Sequence, residues 1–65
     1  MDEIKFLSSK EIADNLGIHE STLARWRERK EGPAYFEIGG MIRYKETDIL
    51  SWIEKQKREP NGKAD

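Results

Sequence analysis

Apolar positions along the chain fall into three short clusters of helical period and one stretch of strand-like alternation. The first cluster is Ile12, Ala13 and Leu16, with Ile12 and Leu16 one turn apart on a single face. Its start is marked by Ser8-Ser9-Lys10-Glu11. The Ser8 hydroxyl can accept from the Glu11 backbone N–H while the Glu11 carboxylate returns to the Ser8 N–H, a capping box. Leu7 and Ile12 occupy the two positions of a hydrophobic staple. A helix from Ser9 to about Leu16 follows, and Gly17 supplies the left-handed residue that stops it. The second cluster is Leu23 and Trp26, preceded by Ile18, and predicts a helix over Glu20 to Lys30. Glu31-Gly32-Pro33 ends it, because proline cannot continue a helix and disfavours helical geometry in the residue before it.

From Tyr35 to Tyr44 the pattern alternates around Gly39-Gly40, which reads as a β-hairpin. A two-residue loop pairs Ile38 with Met41 and Phe36 with Arg43, mixing apolar and charged residues on one face. A three-residue loop, Gly39-Gly40-Met41, pairs Ile38 with Ile42 and Phe36 with Tyr44 and sets Glu37 opposite Arg43. The one-apolar-face rule favours the second register. The third cluster, Ile49, Leu50, Trp52 and Ile53, predicts a helix capped by Thr47, with Asp48 in its first turn. Lys55, Lys57 and Arg58 read as its solvated end, and Pro60-Asn61-Gly62 closes it. The organisation is one folded unit over residues 6–58, with loose flanks at 1–5 and 59–65.

Composition narrows the classes. Sixty-five residues make one domain, which buries only about 60% of the surface exposed in its unfolded chain. There is no cysteine and a single histidine, so disulfides, thiolate metal sites and multi-histidine sites are excluded. No apolar run reaches the roughly 20 residues of a membrane span, and the acidic start lacks a signal-peptide core. No nucleophile, base and oxyanion site are arranged together. The expectation is a cytoplasmic binding module, not an enzyme, with no cofactor and no metal.

The first two helices are separated by a turn of three or four residues containing Gly17, the spacing of a helix-turn-helix, whose second helix enters the DNA major groove. Ala13 permits close crossing of the helices, Gly17 takes the turn, and Leu23 locks the second helix onto the first. At about 100° per residue, Leu23, Trp26 and Lys30 face inward. Ser21, Arg25 and Glu28 face away, flanked by Thr22, Ala24 and Arg29. Serine and threonine bond phosphates or bases, arginine reads the two acceptors of guanine, and a small alanine admits a thymine methyl. Glu28 suits a cytosine amino group or an ion pair with Arg25, and Arg25 has a surface ion pair with a neighbouring glutamate as its alternative. Arg27 and Arg29 flank the outward face. Trp26 and Trp52 read as core, His19 as a residue near the second helix's start, and Lys45 as a phosphate contact after the hairpin.

The run Phe6-Leu7-Ser8-Ser9-Lys10-Glu11-Ile12-Ala13, followed by Leu16-Gly17-Ile18, Thr22-Leu23 and Arg25-Trp26, resembles the excisionase-type helix-turn-helix family. Gly32-Pro33, Ile38-Gly39-Gly40, Arg43-Tyr44 and Asp48-Ile49 to Trp52-Ile53 continue the likeness, which covers roughly Phe6 to Glu54. The family includes phage excisionases and AlpA-type regulators and, more distantly, the N-terminal domains of MerR regulators. The resemblance implies an α+β, mainly α, small winged helix-turn-helix: three helices with a two-stranded wing between the second and third. It implies major-groove reading by Ser21, Thr22, Ala24, Arg25 and Glu28, and a wing carrying Met41 and Arg43 against the backbone or minor groove. Wings of the family often have a basic residue directly after the two glycines, where this chain has Met41. The implied function is a double-stranded-DNA-binding excisionase of a phage or mobile element, working with an integrase and binding cooperatively as several copies. An AlpA-like transcriptional regulator and a protein-interaction module without DNA binding are the alternatives.

A formal charge of −1 argues against a nucleic-acid partner until it is divided along the chain. Residues 1–24 hold two basic and five acidic side chains, residues 25–45 six and three, and residues 46–65 four and five. Positive charge is therefore concentrated where the second helix and wing lie. Weak non-specific binding and a greater reliance on base contacts, DNA shape or neighbouring copies are expected.

Overall fold

The computed structural model describes residues 3–60. Of the expected loose flanks, residues 1–2 and 61–65 lie outside the described residues. Strand β1 (Phe6–Ser8) leads directly into helix α1 (Ser9–Leu16), and helix α2 (Glu20–Glu28) follows after a short turn. Strands β2 (Phe36–Ile38) and β3 (Met41–Lys45) form a hairpin, and helix α3 (Glu46–Lys55) continues from β3 with no residue between. The sheet is antiparallel with order β1-β3-β2. This is a small winged helix-turn-helix, with a third strand added to the expected two. Phe6-Leu7-Ser8 is a short strand because it pairs with a distant partner, Lys45-Tyr44-Arg43.

The capping box forms as the sequence dictates: the Ser8 Oγ accepts from the Glu11 N–H at 3.1 Å, and the Ser8 N–H donates to Glu11 Oε1 at 2.8 Å. At the other end of α1, Gly17 has φ 72°, and the Ile18 N–H donates to the Ala13 carbonyl at 3.0 Å. That bond folds Ile18 back toward the core, against which it packs. Helix α2 is shorter than expected, ending at Glu28. Its last turn closes through Lys30, a non-glycine residue at φ 59°, with Lys30 N–H on the Arg27 carbonyl (3.1 Å) and Glu31 N–H on the Trp26 carbonyl (2.7 Å). Lys30 is exposed and not inward, because this left-handed turn carries it off the helical face.

The core is Ile12, Ala13, Leu23, Tyr44 and Ile49, with Leu7, Leu16, Ile18, Trp26 and Ile42 packed around it. Fully burying an aliphatic side chain such as Ile12, Leu23 or Ile49 contributes roughly 1.5–3 kcal/mol, so these few positions dominate the stability of so short a chain. All three helices and the sheet meet here, which fixes α2 relative to the wing.

Two local expectations are corrected. The hairpin has the two-residue loop, pairing Ile38 with Met41, Glu37 with Ile42 and Phe36 with Arg43. Gly39 (φ 60°) and Gly40 (φ 81°) both take the left-handed backbone of a tight turn that matches strand twist. The one-apolar-face rule fails because the outer end of the hairpin extends beyond the core, so no buried face sets the register. Thr47 is not the cap of α3. Lys45 flanks the helix without a side-chain cap, and the Glu46 N–H donates to the Lys5 carbonyl at 3.0 Å. The chain before β1 thus accepts the first N–H of α3 and continues the β1–β3 pairing by one residue.

Candidate nucleic-acid interface

Helix α2 is held by Leu23, which has no exposed surface, and by Trp26, whose ring lies 5.6 Å from that of Trp52. With Leu23 fixed inward, Ser21, Arg25, Glu28 and Arg29 line the outward side, while Thr22 and Ala24 are half-buried at the edges of the same face. Arg25 Nη2 donates to Thr22 Oγ1 at 3.4 Å, a long bond that biases the guanidinium along the helix. No carboxylate pairs with Arg25 or Arg29 among the described residues. The ion pairs found there are Lys10–Asp14 at 3.0 Å and Lys57–Glu59 at 3.6 Å. The hydrogen bond to Asp14 also raises the Lys10 pKa above the ordinary lysine value. The surface ion pair expected as the alternative for Arg25, including a pairing with Glu28, is therefore not formed, and the guanidinium keeps most of its donors free.

Arg27, expected to flank the outward face with Arg29, instead turns toward the core. Its Nη1 donates to the Tyr44 hydroxyl at 2.7 Å and to Ser9 Oγ at 3.3 Å, and its guanidinium carbon lies 5.8 Å from the centre of the Tyr35 ring. Tyr44 is fully buried, so this bond satisfies its hydroxyl at the surface of the core. One side chain thereby ties α2 to the start of α1, to β3 and to the segment before β2. The sequence carries a signal for this: Arg27 lies four residues after Leu23, on the same side of the helix as the inward stripe.

In the wing, alternation divides the sheet into two faces. Leu7, Tyr44, Ile42 and Glu37 share the core side, and Phe6, Ser8, Lys45, Arg43, Phe36, Met41 and Ile38 share the other. The strand residues of this outer face include two cations and no carboxylate. Phe6 and Phe36 meet edge to face across it, with ring centres 5.5 Å apart. Arg43 is half-buried, with Nη1 donating to the Ile42 carbonyl at 2.8 Å and Nη2 to Met41 Sδ at 3.6 Å. Its five N–H groups leave further donors free. Lys45 is half-buried at the root of the wing, opposite Phe6.

The expected residues thus form two sets. Ser21, Thr22, Ala24, Arg25, Glu28 and Arg29 lie on one helical face, and Met41, Arg43 and Lys45 on the outer face of the sheet. No hydrogen bond or ion pair joins the sets among the described residues; Arg27 and Tyr44 connect the elements that carry them. No group of three or more His, Asp or Glu gathers as a metal site, and no helix is long and apolar enough to cross a membrane, among the described residues.

Compared with known families, the chain matches the sequence model described as "Helix-turn-helix domain" over residues 6–57. No curated protein and no solved structure matches it.

Proposed function

The chain belongs to the helix-turn-helix domain family, a family of small DNA-binding domains, and from that premise we propose that it is a sequence-specific double-stranded-DNA-binding protein of a phage or mobile element, acting as an excisionase. The observation that carries the reading is the outward face of α2, where Arg25 lacks a carboxylate partner and Ser21 and Glu28 stand beside it. Arg25 reads guanine in the major groove, Glu28 accepts from a cytosine amino group, and Ser21 and Thr22 bond a base edge or phosphate. Ala24 leaves room for a thymine methyl. Arg29, Arg43 and Lys45 neutralise phosphates, and Met41 stands at the wing tip over the minor groove. In this role the protein binds and bends attachment-site DNA, several copies bind side by side, and an integrase is directed toward excision.

The test is a binding titration against a duplex selected from a randomised pool, repeated over a range of salt. Three phosphate contacts give a slope of log affinity on log salt of about −3. No duplex preference above background at low salt would remove the reading and leave a protein-interaction module. The excisionase role is checked by adding the protein to an excision reaction driven by the integrase of its own genetic element. Stimulated excision supports it; unchanged excision with altered promoter output points to an AlpA-like regulator.

A further inference from the structure

The tip of the wing presents an apolar pair where a DNA-binding hairpin meets its ligand. Ile38 and Met41 lie directly opposite one another, next to the two-residue turn, and are 50% and 54% exposed. Beyond them stand only Gly39 and Gly40, around which there is open space. Immediately behind them is Arg43, held on the Met41 sulfur and the Ile42 carbonyl. We propose that this tip is a wedge: Ile38 and Met41 enter the minor groove and pry open a single base step, so that the wing kinks the duplex. The proposal rests on the DNA-binding reading above and adds to it a mechanism of bending.

Charge and dimensions carry it. The outer face of the sheet combines Arg43 and Lys45 with an apolar end, and none of its strand residues is a carboxylate. That order, apolar tip then cations, matches a ligand with anionic edges and an apolar interior, as a duplex has in its phosphates and stacked bases. Two paired strands lie about 4.8 Å apart, and the minor groove of B-form DNA is about 6 Å wide. That spacing runs between backbone axes, so with its own atoms counted the turn is wider than the groove. The Ile38 and Met41 side chains enter only if the groove widens. Apolar side chains inserted from the minor groove partly unstack a step and bend the duplex toward the major groove. A wedge must also resist deflection. Here β1 flanks β3 on the side away from β2, the Phe6 and Phe36 rings brace the two outer strands across it, and β3 passes straight into α3.

The experiment uses the full chain and a selected duplex of about 30 bp, with a dye at each end to report bending. A 2-aminopurine is placed in turn at each step beside the segment protected by α2. The wild type should shorten the end-to-end distance and raise 2-aminopurine emission severalfold at one step only. The double variant Ile38→Ser/Met41→Ser should lose both signals even at protein concentrations that saturate the duplex. Both side chains are half exposed, so the fold should tolerate the change, which circular dichroism checks. A second measurement needs no variant: a single mismatch at the responsive step lowers the unstacking cost, so the wild type should bind that duplex about tenfold more tightly. Wild-type binding without bending, bending retained in the double variant, or equal affinity for matched and mismatched duplexes would each overturn the wedge alone. Failure to select any duplex overturns the DNA-binding reading and the wedge together. Equal affinity for anionic phosphatidylserine vesicles would instead assign the apolar tip to a lipid surface and also overturn the wedge.

Discussion

Gly32→Ala should destabilise the protein far more than its exposed position suggests. The residue sits at φ 82°, and a β-carbon placed there meets Trp26 at three atoms: Cε3 at 2.8 Å, Cβ at 3.1 Å and Cδ2 at 3.3 Å. Trp26 cannot readily yield. Its ring packs against Trp52, and its carbonyl accepts the Glu31 N–H at 2.7 Å. Left-handed backbone costs an L-residue about 1–2 kcal/mol, and overpacking adds about 1–3 kcal/mol. Gly17 provides the control. It has φ 72° but nothing within 4 Å of its added β-carbon, so Gly17→Ala bears the backbone cost alone. A chain of this length has a total stability of about 3–10 kcal/mol, so the difference between the variants is easily resolved. Urea unfolding followed by tryptophan emission measures it directly, since the perturbed ring is itself a reporter. Each kcal/mol corresponds to about 4–8 °C in Tm. If both variants lose the same stability, the close approach of Gly32 to Trp26 is refuted.

Three other outcomes are expected. Lys30→Gly should raise stability by about 0.5–1 kcal/mol in the same assay, because it removes the strain of a non-glycine residue at φ 59°; a loss would show that the lysine side chain contributes more than its backbone costs. Tyr44→Phe should cost about 1–2 kcal/mol and weaken duplex binding, since the Arg27 guanidinium loses its 2.7 Å acceptor and α2 its tie to β3; unchanged stability with unchanged binding would remove that role. Arg25→Ala should leave the unfolding midpoint in place, weaken binding to the selected duplex by about 1–3 kcal/mol and relax base preference at one position, as a repeated selection would show.

Features decided locally are the ones legible in the sequence. The capping box at Ser8 and Glu11 and the stop at Gly17 each depend on a few consecutive residues, and each forms as expected. The inward stripe of Leu23 and Trp26 likewise places the outward face of α2. The departures involve partners distant in the chain or a missing constraint. Helix α3 starts at Glu46, directly after a strand paired with β1 and with the Glu46 N–H on the Lys5 carbonyl, and nothing near residue 47 announces that distant partner. Strand β1 exists only because β3 passes beside it. A buried face would favour the three-residue hairpin loop, but Phe36, Ile38 and Met41 lie beyond the core, so the glycine turn sets the register instead. Arg27 looks by its charge like one more surface arginine, although its helical position already points inward.

The direct passage of β3 into α3 bears on how chain length can vary in this fold. Lys45 ends the strand and flanks the helix at once. One residue inserted there would rotate the whole of α3 by about 100° relative to the sheet and swing Ile49 off the core. An insertion between Gly39 and Gly40 replaces the turn that sets the hairpin register but leaves the core in place, because the outer end of the hairpin lies beyond it. Loop grafts and insertion tags that leave the fold intact therefore belong at the wing tip, whereas a single-residue insertion or deletion at position 45 would be lethal to the fold.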